Sequence, residues 1–258
     1  DYRPMVSFMA VCIMEENGKM ENGYAGRSYR KGFEFMTDDV VDVIAREVVD
    51  RTAILFKAIK PKGGEMPVVM GSGGSGILLH EAIGHAFEAD FNRKDISIFS
   101  SQLNKKVCNE HINVVDDGTI PFNRGSVNFD DEGVEGQKTY IVWEGVLTSY
   151  LHDRISAKHY GVNPTGNGRR DTFRNLPIPR MRATYMEAGN MKEADIISTV
   201  KNGIFVDTFT NGQVQIGAGD FTFFVKSGYL IEDGKLTQPI KDINIIGNGP
   251  KALADITM

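Results

Sequence analysis

From residue 181 onward the sequence breaks into short β-prone runs separated by turn residues, and this rhythm limits the fold more than any other feature. The runs are 183–186, 203–209, 213–216, 221–226, 229–232, 236–240 and 243–246, and only 191–200 between them reads as a helix. Thr210-Asn211-Gly212 and Asp233-Gly234 have the residue types of hairpin turns. Strands in series with helices segregated elsewhere predict an α+β fold with a large antiparallel or mixed sheet and few helices, not a βαβ architecture.

The first part of the chain adds a second β unit. Residues 6–14 and 19–26 flank Asn17-Gly18, a strong two-residue hairpin signal. Thr37 then caps a helix with Asp38 and Asp39 in its first turn and apolar residues at Val40, Val41, Ile44 and Val48; it should stop before Pro61. A turn leads into a strand at 67–70, followed by the Gly/Ser-rich loop 71–76 and an amphipathic helix over 77–90. Further on, 106–115 and 139–143 read as strands, 147–160 as a helix ended by Gly161, and 163–168 as a surface loop.

The helix after the Gly/Ser loop carries the chemistry. It contains His80-Glu81-Ala82-Ile83-Gly84-His85, one residue longer between histidines than the H-E-x-x-H of many zinc peptidases. Five steps at about 100° each would leave His80 and His85 some 140° apart on a regular helix. At the roughly 4.4 residues per turn of a π-type widening the separation falls to about 50°. Gly84 lies inside the interval and could ease such a widening, so the spacing predicts an irregular helix. Neutral imidazoles bind zinc, and an adjacent carboxylate can take a proton from the water that zinc acidifies. On this reading His80 and His85 are the metal ligands and Glu81 the general base. Glu88 falls on the same polar face, either orienting a histidine or simply solvated. The bland alternative is two histidines on an exposed helix face beside a structural loop.

Competing readings of the loop fail on their own requirements. A phosphate loop needs a lysine where Ile77 follows, and Ser75 is not framed as G-x-S-x-G. Glycine is in excess, 28 of 258 residues, against a usual ~7%, which fits loops that bring backbone close to a ligand or another strand. The net charge of −5 provides no general field for nucleic acid. The basic cluster Arg169, Arg170, Arg174, Arg180 and Arg182 is broken by Asp171 and prolines, and reads as solvated or ion-paired. Asp130–Glu132, His111, His152 and His159 suggest surface or local hydrogen bonding instead of a second metal site. Cys12 and Cys108 form no C-x-x-C pair, and no apolar run approaches the ~20 residues of a membrane span, so a cytoplasmic protein is expected.

Together these segments resemble the TldD/PmbA family, once called modulators of DNA gyrase. The resemblance rests on Gly71 to Asp90, Arg124 to Gly133, Gly168-Arg169-Arg170, Pro177 to Met181 and Leu230 to Lys235, and extends over essentially the whole chain. It implies a Zn²⁺-dependent metallopeptidase acting on peptides or unfolded small proteins, with His80 and His85 as zinc ligands and Glu81 as the catalytic glutamate. It also implies a homodimer, or a heterodimer with a PmbA/TldE-like subunit that lacks the motif; from charge and apolar-run length, no membrane or nucleic-acid partner is expected. By the same resemblance, 1–62 is the end of an N-terminal domain with a connecting hairpin and helix, and 63–258 is the metalloprotease domain without its C-terminal part. The third zinc ligand of the family is a cysteine expected beyond Met258, so these residues alone are expected to hold zinc weakly or not at all. The rival expectation is a non-catalytic peptide-binding or scaffold subunit, which a regular helix through Gly84 with its histidine rings pointing apart would favour.

Overall fold

The computed structural model describes residues 2–73 and 76–258. The chain opens with an antiparallel hairpin, β1 (Val6–Glu16) and β2 (Lys19–Tyr29), in unbroken register. Asn17 and Gly18 both take positive φ, as a two-residue primed turn requires. Helix α1 (Asp38–Ala53) lies across one face, started by the Thr37 side chain, which accepts from the Val40 N–H. Ile44 and Val48 are buried there against Ala25, with Phe8 and Ala10 packed around them.

The main body follows. Strand β3 (Val68–Met70) leads through the Gly/Ser loop into a π-helix, Leu78–Gly84, a 3-10 turn, His85–Phe87, and α2 (Ala89–Asn92). Then come β4 (Val114–Asp117), β5 (Lys138–Trp143), β6 (Val146–Leu147), α3 (Arg154–Tyr160), β7 (Gly168–Arg169), β8 (Ile178–Pro179) and β9 (Thr184–Met186). The chain continues through α4 (Glu193–Ser198), β10 (Asn202–Val214), β11 (Asp220–Glu232), β12 (Lys235–Ile240), β13 (Ile243–Asn248) and α5 (Gly249–Ala254).

The architecture is α+β. A mixed sheet runs in the order β12-β11-β10-β3, with β13 on the first half of β11 and only β3 parallel to its neighbour. A second, antiparallel sheet runs β6-β5-β4-β9, and β7 pairs with β8 in a short ladder. Leu79, Ala82, Ile83, Ala86 and Phe87 join one core cluster with Val206, Phe223 and Val225 of the first sheet and Val114, Ile141 and Val142 of the second. The metal-helix candidate is therefore anchored against both sheets, each fully buried aliphatic or aromatic side chain contributing roughly 1.5–3 kcal/mol of burial.

Four local expectations are corrected. Residues 210–212 are not a turn: β10 runs through them, and the chain reverses after Gln215, at Gly219 with φ 79°. Gly212 is needed for close approach instead, since a Cβ there would lie 2.2 Å from ring carbons of Phe223 across the ladder. Residues 147–153 are not helical: Leu147, Tyr150 and Leu151 are fully buried in extended chain, and Leu151 exchanges hydrogen bonds with Phe87 and Ala89. The helix begins where Asp153 Oδ1 accepts the Ser156 N–H at 2.7 Å, and ends at Gly161 as expected. The strand expected at 106–115 is laddered only from Val114, with Lys106 in an isolated bridge. The loop 163–168 turns inward at its end, where the buried Asn167 donates to Asp116 Oδ2 at 2.7 Å.

His152 is also buried and not a surface group; its ring sits against Tyr150 and Tyr160. Burial pushes its pKa down to about 4. Between about pH 6.5 and the folded value the unfolded chain binds a proton that the native state does not, so stability falls as pH drops through this window. Urea titrations of the wild type and His152→Phe should therefore diverge below about pH 6.5, the wild type losing up to ~1.4 kcal/mol per pH unit relative to the variant. A pH-independent difference between the two would contradict this.

Candidate metal centre

The segment expected to be an irregular helix is a π-helix over the motif. The His85 N–H donates to the His80 carbonyl, five residues back, where a regular helix would reach four. The widened turn places the two imidazoles together, with ring centres 4.7 Å apart and planes at 85°. His80, Glu81 and His85 each offer one ligand atom, all within 4.8 Å of one another. Glu81 Oε1 lies 3.9 Å from His80 Nε2.

Packing explains why the residue inside the widened turn is glycine. A Cβ on Gly84 would meet Met181 Sδ at 2.4 Å and the Leu79 carbonyl at 2.8 Å. Met181 is itself buried in the core. The backbone of Gly84 is ordinary right-handed helix, so the absent side chain matters for space and not for φ.

The chain leaves the helical region at Glu88, whose ψ of 125° starts α2 on a new course. This break turns the Glu88 side chain inward, so that it is fully buried and not on a solvated polar face. Its Oε2 meets His85 Nδ1 at 3.2 Å and accepts from Arg180 Nη1 at 3.0 Å. Arg180 also lies 3.5 Å from Asp90 Oδ2. Sequence spacing placed Glu88 near the motif but did not signal Arg180 as its partner.

The charges follow from these contacts. Burial, with His85 alongside, pushes His80 below the usual imidazole value and so favours its neutral form. The bond to Glu88 raises His85, making its ring more basic. Burial pushes Glu88 up, and His85 and Arg180 oppose the shift.

Two imidazoles and a carboxylate on one exposed face form a donor set that zinc accepts. Among the described residues neither cysteine joins them. Cys12 lies on the hairpin against α1, and Cys108 is buried with its thiol pushed up to about 11 by burial. Of the loop preceding the helix, Gly74 and Ser75 lie outside the described residues. Arg182 donates to the Gly166 and Gly168 carbonyls, and Arg169 of the basic cluster acts electrostatically on His80.

The chain matches known proteins over most of its length. A family profile described as the PmbA/TldA metallopeptidase C-terminal domain matches residues 63–258. The chain is 43% identical over 263 residues to a protein of Haemophilus influenzae named metalloprotease TldD homolog, covering all of this chain and 55% of that protein. It is 33% identical over 232 residues to a zinc metalloprotease TldD homolog of Saccharolobus solfataricus, covering 90% of this chain and 52% of the relative. The chain thus spans about half the length of these relatives. In fold it is similar to TldE of Thermococcus kodakarensis, with TM-score 0.81 and 22% identity over 97% of this chain and 56% of the other. A structure from Thermotoga maritima described as a modulator of a DNA gyrase gives TM-score 0.80 at 22% identity, over 98% and 56%.

The close contact at Gly84 sets the sign of a substitution. On propensity alone Gly84→Ala would stabilise a helix by about 1 kcal/mol. Against Met181 it should instead destabilise the fold by about 1–3 kcal/mol, read by urea unfolding. A variant more stable than wild type would contradict the close packing at Gly84.

Proposed function

The chain belongs to the PmbA/TldD metallopeptidase family, and from that premise we propose that it is the zinc-dependent, peptide-hydrolysing part of a protease. The observation that carries this reading is the convergence of His80, Glu81 and His85 within 4.8 Å on the widened turn. His80 and His85 would hold the metal. Zinc, when bound, supplies a Lewis acid that makes a water acidic near neutral pH. Glu81, next in sequence to one ligand, takes the proton released on attack and returns it to the leaving amine.

Strand β3 supports a way of presenting substrate. It is the outer strand of the mixed sheet and runs directly into the loop before the π-helix. A peptide strand paired with that edge would be held through its backbone, which suits peptides and unfolded proteins of varied sequence. Within this proposal residues 1–62 are the lead-in module and 63–258 the peptidase module. Its setting is a cytoplasmic homodimer, or a heterodimer with a PmbA/TldE-like subunit. No helix of the described residues is long and apolar enough to cross a membrane.

The scaffold reading would have been favoured by a regular helix with the histidine rings apart. The edge-to-face approach of the two rings, their centres 4.7 Å apart, supports the catalytic one.

The test uses a chain extended to the relatives' length, zinc-loaded and given an unstructured peptide substrate. Glu81→Gln should lower kcat by roughly 10²–10⁴-fold while bound zinc is retained. His80→Ala and His85→Ala should lose zinc and activity together. Undiminished hydrolysis by purified Glu81→Gln protein would sink the mechanism.

A further inference from the structure

We propose that Glu88, clamped by Arg180, is a positioning residue that fixes the His85 ring as the tautomer with its proton on Nδ1, leaving Nε2 as the free lone pair. The claim rests on His85 being a metal ligand but concerns only groups present in this chain.

The backbone at Glu88 is locked from several sides. Ala89 N–H donates to the Leu151 carbonyl and Leu151 N–H to the Phe87 carbonyl, stitching the break between the 3-10 turn and α2 to an extended core segment. The Asn92 amide donates to the carbonyls of both Ala86 and Glu88, at 2.8 and 2.9 Å. The side chain that this backbone directs inward is 0% exposed, so its orientation is set by packing and not by solvent.

The partners determine what the carboxylate does. Oε2 faces His85 Nδ1 at 3.2 Å and receives Arg180 Nη1 at 3.0 Å. An ionised carboxylate accepts only, so the facing ring nitrogen must be the one that carries hydrogen. Arg180 supplies the countercharge that makes a buried anion tolerable. It is itself held firmly: its backbone N–H donates to Asn167, its Nη1 also donates to the Pro179 carbonyl at 2.6 Å, and its guanidinium lies over the Phe91 ring at 5.7 Å. Among the described residues it is Oε2, not Oε1, that carries the hydrogen bonds of the carboxylate, to His85 and Arg180. A ligand histidine oriented through its second nitrogen by a carboxylate is a general means of fixing ring direction and raising basicity.

A pair that merely joined β8 to α2 would leave the imidazole tautomer indifferent. Long-range proton–nitrogen NMR of the zinc-free protein above neutral pH separates the cases, with His85 assigned by comparison with His85→Asn. The wild type should show His85 protonated on Nδ1. Glu88→Gln should give a mixed tautomer and weaken zinc binding about 10–100-fold, with Arg180→Met acting in the same direction. A wild-type ring protonated on Nε2 would overturn the proposal, as would a folded Glu88→Gln protein with unchanged tautomer. If Glu88→Gln does not fold, the wild-type spectrum still decides. A wild type that shows the Nδ1 tautomer yet takes no zinc even in the extended chain would support the positioning role and count against the proposed peptidase.

Discussion

The hydrogen bond from the His85 N–H to the His80 carbonyl is the interaction on which the candidate site depends. It inserts one residue into a helical turn and converts a five-residue spacing, which a regular helix would spread around its circumference, into two rings in contact. Such a turn has less favourable geometry than a regular one and needs support from outside. Met181 supplies it by filling the space beside Gly84. Met181 follows Arg180 in sequence, so one short segment after β8 supports both the widened turn and the Glu88 carboxylate.

The same region concentrates buried charge. Glu88, Asp90 and Asp116 are all nearly inaccessible, a costly arrangement unless each is hydrogen-bonded or paired. Asp116 is fully served, accepting from the Arg182 N–H, the Thr184 hydroxyl and the Asn167 amide. Asn167 in turn receives the Arg180 N–H on its carbonyl. A continuous polar chain thus runs from the second sheet through Asn167 and Arg180 to Glu88 and His85. Its physical effect is to hold β8 and its following residues in one position relative to the π-helix, so the site is placed by a network and not only by the helix that carries the ligands.

Where local signals sufficed, the sequence was legible. Asn17-Gly18 located the hairpin, Thr37 capped α1, Asp233-Gly234 joined β11 to β12, and the spacing of His80 and His85 foretold an irregular helix. Each is a matter of a few neighbouring residues. The failures required tertiary information. Leu147, Tyr150 and Leu151 recur at helical spacing but are buried along extended chain between two other segments, which apolar periodicity cannot distinguish. Asn211-Gly212 has hairpin composition, yet the Phe223 ring across the ladder is what requires glycine there. Glu88 and Arg180 lie 92 positions apart, and nothing in either neighbourhood announces their pairing.

If the widened turn brings two imidazoles to one metal, both must appear in the metal's coordination shell. X-ray absorption at the zinc edge counts them directly, using protein extended to the relatives' length and loaded with a single equivalent of zinc. The expected result is the scattering signature of two imidazole ligands, falling to one in His85→Ala. Zinc bound through one imidazole or none in the wild type would contradict it.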